Sequence, residues 1–285
     1  MDNKIIRLSD ERNLGYAEYG DLQGCPLFFF HGQPGNRLFR HPADMLTSFL
    51  GVRVICIDRA GYGLSDFQPN RRLLDWPVDV GELADALGIA RFNVLGFSAG
   101  GPYALACAHF IPERLIQVGI ADNAPPMYLQ EINQIAPKIL RINYELTRHA
   151  PSVPEIYFRL FWRFSRPNPD AILKMAVQHS CQADKDALSQ PGLSSVLQEV
   201  WKENIRIESR GYTYDTEILM RDWGFQLKDI QKDIHLWQGE ADTNIPTAWA
   251  RYLAKELPHC QATFFPDEGH FALFQHWEEI LQTLR

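Results

Sequence analysis

The sequence predicts an α/β fold: a mostly parallel sheet with helices on both faces, interrupted once by a helical insertion. Three observations predict it. Short apolar runs without alternation recur at 26–30, Val52–Ile57, 92–95 and 115–120, as strands covered on both faces require. Segments with helical spacing separate these runs, which makes βαβ units. The alternation stops at Asp122-Asn123-Ala124-Pro125-Pro126 and resumes near Ile234.

Taken in order, residues 4–8 and 14–19 read as an antiparallel strand pair around the polar turn 9–13. Residues 26–30 make a buried strand that ends at His31-Gly32-Gln33-Pro34-Gly35. Pro34 lacks an N–H, so a main-chain donor from this turn falls to a neighbour, most simply Gln33. A helix is expected over 37–50. Val52–Ile57 follows as a strand, with Asp58-Arg59-Ala60-Gly61-Tyr62-Gly63-Leu64-Ser65 as its exit loop. Asp58 and Arg59 are expected to hold that loop by hydrogen bonds. Trp76, Val80, Leu83, Ala84 and Leu87 share one helical face, with Asp75 as N-cap and Gly88 as the stop.

After the strands at 92–95 and 115–120, residues 125–229 are helical in pattern and rich in aromatics, among them Tyr144, Tyr157, Phe161, Trp162 and Trp201. Prolines divide this stretch into several short helices. Most of its aromatics are expected to pack helix on helix; Phe161 and Trp162 are the first candidates to face a substrate. Strands at 234–237 and 262–265, a helix at Thr247–Glu256 and a last helix at 271–284 complete the chain. The division is a core of residues 1–124 and 230–285 with a helical cap at 125–229.

Composition excludes several classes of function. A formal charge of −7 with no basic run argues against nucleic acid as a partner. The five cysteines are scattered, without CxxC or Cys/His zinc spacing, and read as reduced structural thiols. No apolar run approaches the roughly 20 residues of a membrane span. Residues 1–10 are charged and lack the apolar core of a signal peptide. A cytoplasmic enzyme with a small-molecule substrate is the expectation, and the oligomeric state is left open.

The chemistry starts at Gly96-Phe97-Ser98-Ala99-Gly100-Gly101. A buried strand, a serine between glycines and an alanine-rich helix make the frame of a nucleophile elbow. Strand and helix approach so closely at such a turn that a Cβ at Gly96 or Gly100 would clash. A serine hydroxyl is a poor nucleophile near neutral pH. It needs a base such as histidine, and the base needs a carboxylate to hold its tautomer. Two later loops carry these types: Gly239-Glu240-Ala241-Asp242 and Gly269-His270-Phe271. The C-terminal ends of parallel strands meet at one edge, so Ser98, Asp242 and His270 would gather there. Asp242 has rivals in Glu240 and in Asp122 at the tip of the sixth strand. Chain order favours Asp242.

The loops at His31, Asp58, Gly96, Gly239 and Gly269, in this order, resemble the α/β-hydrolase superfamily over nearly the whole chain. The resemblance implies an eight-stranded sheet, a helical cap after the sixth strand, and a triad of Ser98, His270 and Asp242. It also implies an oxyanion hole from the backbone N–H groups of Gln33 and Ala99, and no metal or cofactor. Epoxide hydrolases and haloalkane dehalogenases of this superfamily carry aspartate at the elbow, where this chain has Ser98. Ala99 stands where proline iminopeptidases commonly have tryptophan. The expected activity is hydrolysis of a carboxylic ester of a small, fairly apolar substrate. A peptidase of the proline iminopeptidase type, a carbon–carbon bond hydrolase, a perhydrolase and a slow-turnover ligand receptor share the triad and stay open. A neutral histidine base near its reference value implies activity rising through an apparent pKa of roughly 6–7.5.

Overall fold

The computed structural model of the protein describes residues 3–150, 152–165, 178, 180–206 and 210–285. Strands β1 (Lys4–Arg7), β2 (Asn13–Gly20), β3 (Cys25–Phe30), β4 (Val52–Ile57), β5 (Phe92–Phe97), β6 (Leu115–Ala121), β7 (Ile234–Gly239) and β8 (Cys260–Phe265) form one sheet. Their order across it is β1-β2-β4-β3-β5-β6-β7-β8. β2 runs antiparallel to β1 and β4, and every other pairing is parallel. This is the mostly parallel sheet that the sequence predicts, with the eight strands that the resemblance implies.

The described helices are α1 (Asp44–Phe49), α2 (Trp76–Ala86), α3 (Gly101–Phe110), α4 (Gln130–Ile135), α5 (Lys138–His149) and α6 (Ser152–Ser165), then α7 (Gln182–Ser189), α8 (Pro191–Arg206), α9 (Arg210–Met220), α10 (Thr247–Glu256), α11 (Ala272–Gln275) and α12 (Trp277–Thr283). Strand periodicity sorts the core. Phe28 and Phe30 point into one layer with α2, α3 and α10. Leu27 and Phe29 point into the other, with α8 and α12. Both faces are therefore dry, which is why β3 reads as an unbroken apolar run. Fully burying each such side chain is worth about 1.5–3 kcal/mol.

Three local expectations need correction. The helix expected over 37–50 exists only as α1. Tertiary bonds capture the chain before it: the Arg37 N–H donates to Asp58 Oδ1 at 2.6 Å, and Asn36 Nδ2 donates to Val200 O at 3.0 Å. Asp75 does not cap α2 with its side chain; its carboxylate instead accepts the Arg72 N–H at 2.7 Å. The last helix is two, α11 and α12, divided at His276, whose ring stacks on Phe265 with centroids 3.6 Å apart.

Between β6 and β7, α4 to α9 replace the βα alternation. The last of them is bolted to the sheet loops. Asp215 on α9 is fully buried and accepts Arg59 Nε at 2.7 Å, Tyr103 Oη at 2.8 Å, and Arg71. Arg59 reaches on to the carbonyls of His31 and Gly32. Arg59 thus serves its loop as expected, but through a partner on the inserted segment. Asp58 does the same work locally, accepting the Arg37 guanidinium at 3.1 Å and the Leu64 N–H at 2.8 Å. No helix among the described residues is long and apolar enough to cross a membrane.

Candidate active site

The C-terminal ends of β3, β5, β6, β7 and β8 lead into the loops that hold Gln33, Ser98, Asp122, Asp242 and His270. Ser98 follows β5 directly and has φ of 53°, in the left-handed region that non-glycine residues avoid. The chain turns there through a short 3₁₀ segment into α3, with proline in the helix's first turn. A Cβ on Gly96 would lie 2.5 Å from the Gly100 carbonyl oxygen, and one on Gly100 would overlap the Phe30 carbonyl. The strained turn persists because a close-packed surround leaves it no alternative. Replacing Gly100 with alanine is expected to destabilise the fold by about 1–3 kcal/mol or more. An unaltered thermal unfolding midpoint would contradict that close approach.

His270 Nδ1 donates to Asp242 Oδ2 at 2.7 Å, which leaves Nε2 as the basic nitrogen. Asp242 is held in turn: its Oδ1 accepts the N–H groups of Asn244 at 2.7 Å and Ile245 at 3.0 Å. The rival acids lie elsewhere. Glu240 pairs with Arg251 at the surface. Asp122 is fully buried, and its Oδ1 accepts the Gly239 N–H at 3.0 Å. Burial pushes the Asp122 carboxyl well above its ordinary value.

Burial alone would lower the pKa of His270. The carboxylate of Asp242 in contact with it, with Asp122 and Asp184 behind, outweighs burial and raises it to about 9. That corrects the expected range of roughly 6–7.5, which took the histidine at its solvated reference value. Asp184 belongs to α7, and no motif marks it.

Ser98, His270, Gln33 and Ala99 all line one cavity of about 690 Å³. Its walls are largely apolar, with Phe39, Leu197, Trp201, Leu219, Met220 and Trp249 among them. Gln33 brings more than its backbone: its Nε2 donates to Tyr212 O at 2.6 Å and Thr216 Oγ1 at 2.8 Å, both on α9. Phe161 is not part of the described lining; it stacks beside Tyr157 on α6, with ring centroids 6.5 Å apart. The Trp162 side chain lies outside the described residues. Trp201 on α8 and Tyr212 on α9 are the inserted segment's aromatics on this cavity among the described residues.

The residues that sequence reasoning missed are Asp184 and Asp215. One signal was present: each acid lies three and four residues before an apolar pair, Ala187 and Leu188 or Ile218 and Leu219, on one buried helical face.

Sheet order and serine turn define the class, an α/β fold with a serine held in a strained strand-to-helix turn. The chain belongs to the alpha/beta hydrolase family, which it matches over residues 27–283. Among curated relatives it is similar to a proline iminopeptidase of Xylella fastidiosa, at 30% identity over 127 residues, covering 41% of this chain and 38% of that protein. It is also similar to a non-heme chloroperoxidase of Streptomyces lividans, at 31% over 130 residues, covering 44% of this chain and 46% of that protein. Both matches thus span less than half of the relative's length. An esterase of Exiguobacterium antarcticum has the same fold, with a TM-score of 0.68 at 21% identity, covering 99% of this chain and 98% of that one. Membership supports hydrolysis as the class of reaction.

Proposed function

We propose that the protein is a serine hydrolase that cleaves a carboxylic ester of a small, neutral, fairly apolar substrate. The observation that carries this reading is the His270–Asp242 bond on the cavity that Ser98 also lines. In the proposed mechanism Ser98 Oγ attacks the ester carbonyl while His270 Nε2 takes its proton. The oxyanion is held by the N–H groups of Gln33 and Ala99. The imidazolium then protonates the leaving alkoxide, and water, activated by the same nitrogen, releases the acid from Ser98. Asp242 fixes the tautomer throughout. Residues 125–229 act as the cap that closes the acyl pocket, with Trp201, Leu219 and Met220 setting chain-length preference.

The pocket wall favours an ester over an N-terminal peptide bond. Among the described residues its lining carries no Asp, Glu, Lys or Arg. A peptidase that reads a free amino terminus needs a carboxylate to pair with that ammonium, since a buried unpaired charge is costly.

The test is a panel of acyl esters, prolyl amides and β-diketones, assayed across pH with the wild type and with Ser98→Ala as control. Esters are expected to give the highest kcat/KM. The base must be neutral to accept the serine proton, so kcat/KM should climb with pH through an apparent pKa near 9. Faster turnover of a prolyl amide or a β-diketone would reject the ester reading. A plateau already reached by about pH 7, the range of a solvated histidine, would contradict the electrostatic setting of His270.

A further inference from the structure

Asp184 is a fully buried acid in the first turn of α7, on the inserted segment. Its Oδ1 accepts the N–H of Phe271, the residue after His270, at 3.0 Å. Its Oδ2 is buried without a hydrogen-bond partner among the described residues. The approach is close: a Cβ on Gly269 would lie 2.6 Å from Cys181 Sγ, at the N-cap of α7, and would overlap Asp184 Oδ1. Glycine immediately before His270 is what lets α7 reach that loop.

A buried carboxylate with one hydrogen bond is under-compensated. An acid in the first turn suits the N-terminus of α7, next to Cys181 at its N-cap, and its bond across to the core is the one to the Phe271 N–H. The titratable groups facing His270 among the described residues are Asp242 from the loop after β7, Asp122 at the tip of β6, and Asp184 from α7. Of the three, Asp242 makes the direct hydrogen bond to His270, and burial pushes the Asp122 carboxyl well above its ordinary value. Asp242 belongs to the core, whereas Asp184 arrives with the inserted segment.

We propose that Asp184 is a positioning residue for His270: it pins the histidine loop through Phe271 and so ties the setting of His270 to the docking of α7. This rests on the reading of His270 as the base. The inserted segment then does more than shape a pocket. When α7 sits on the loop, the Asp184 carboxyl joins Asp242 in favouring the imidazolium that forms during serine attack. When α7 lifts, that carboxyl and the Phe271 anchor leave together, so an open site carries a weaker base.

The test compares wild type, Asp184→Asn and Asp184→Ala by NMR titration of the His270 ring, by thermal unfolding, and by the pH profile of kcat/KM on an ester. Asparagine keeps an acceptor for the Phe271 N–H and removes the charge. Its His270 pKa is expected to fall by roughly one unit or more, with the kinetic pKa falling alongside it. Alanine also removes the acceptor, so it should lose kcat beyond what the pKa change explains. An unmoved His270 pKa in a folded Asp184→Asn protein overturns the proposal and leaves Asp184 a structural residue. If that variant fails to fold, the wild-type titration decides: an imidazole at its ordinary value near 6.5 overturns it. A ring pKa that moves while kcat/KM has no matching pH dependence rejects His270 as the base and leaves the electrostatic coupling standing.

Discussion

Replacing Ser98 with alanine is expected to lower kcat on the preferred ester by several orders of magnitude, on the order of a millionfold where chemistry limits turnover. His270→Ala should lose a comparable factor. The double variant should lose little more, because nucleophile and base act as one unit and either loss removes the same step. Residual turnover would come from oxyanion donors and binding alone. Asp242→Asn should cost roughly ten-thousandfold, since an amide partner no longer holds Nδ1 protonated and Nε2 free. Glu240→Gln should change little, because Glu240 pairs with Arg251 away from the histidine. Asp122→Asn should also change little, since Asp122 Oδ1 accepts the Gly239 N–H, a bond that an amide oxygen can keep. A serine-directed phosphonate should label Ser98 in the wild type and label it slowly in His270→Ala. Label on another residue, or a crippling Asp122→Asn, would place the chemistry elsewhere.

Asp215→Asn is expected to destabilise the protein by roughly 3–5 kcal/mol, the usual penalty for stranding buried charge. It would leave the guanidiniums of Arg59 and Arg71, whose side chains are 1% and 5% exposed, without their shared anion. That is a large share of a typical domain stability of about 5–15 kcal/mol. Urea denaturation measures it as a lower midpoint at constant slope. Replacing Arg59, Arg71 and Asp215 together by apolar residues should recover much of the loss, because a buried ion cluster is worth little against good packing. Arg59 and Arg71 hold the Asp215 carboxyl below its ordinary value despite burial. Its folded pKa therefore lies under the unfolded one. The contribution is full above about pH 4 and fades as pH falls through the folded value. A midpoint unchanged in Asp215→Asn would mean that water already reaches these arginines. The same variant should slacken the loop of His31 and Gly32, whose carbonyls Arg59 holds.

Local sequence was enough for the sheet and the elbow because the constraints there are local. Unbroken apolar runs such as β3 follow from burial on both faces, whatever the neighbouring strands are. The glycines around Ser98 follow from one close crossing of strand and helix. Chain order alone brought Ser98, His270 and Asp242 to one edge on paper, since parallel strands share the direction of their ends.

Only the tertiary structure decided what depends on contacts across the chain. It paired His270 with Asp242 and put Asp122 on the Gly239 N–H. Chain order favoured Asp242, but both acids follow strand ends, and only the fold shows which one touches the imidazole. It shortened α1, since bonds from Arg37 and Asn36 to distant partners overrode helical propensity. It turned Gln33 into a strut onto α9 and brought Asp184 and Asp215 from the inserted helices to the loops of His270 and Arg59. Periodicity reports which face of a helix is buried, but not what it is buried against. The carboxyl groups gathered around His270 lie 28, 148 and 86 residues from it in sequence, so their effect exists only once the sheet edge has closed around them.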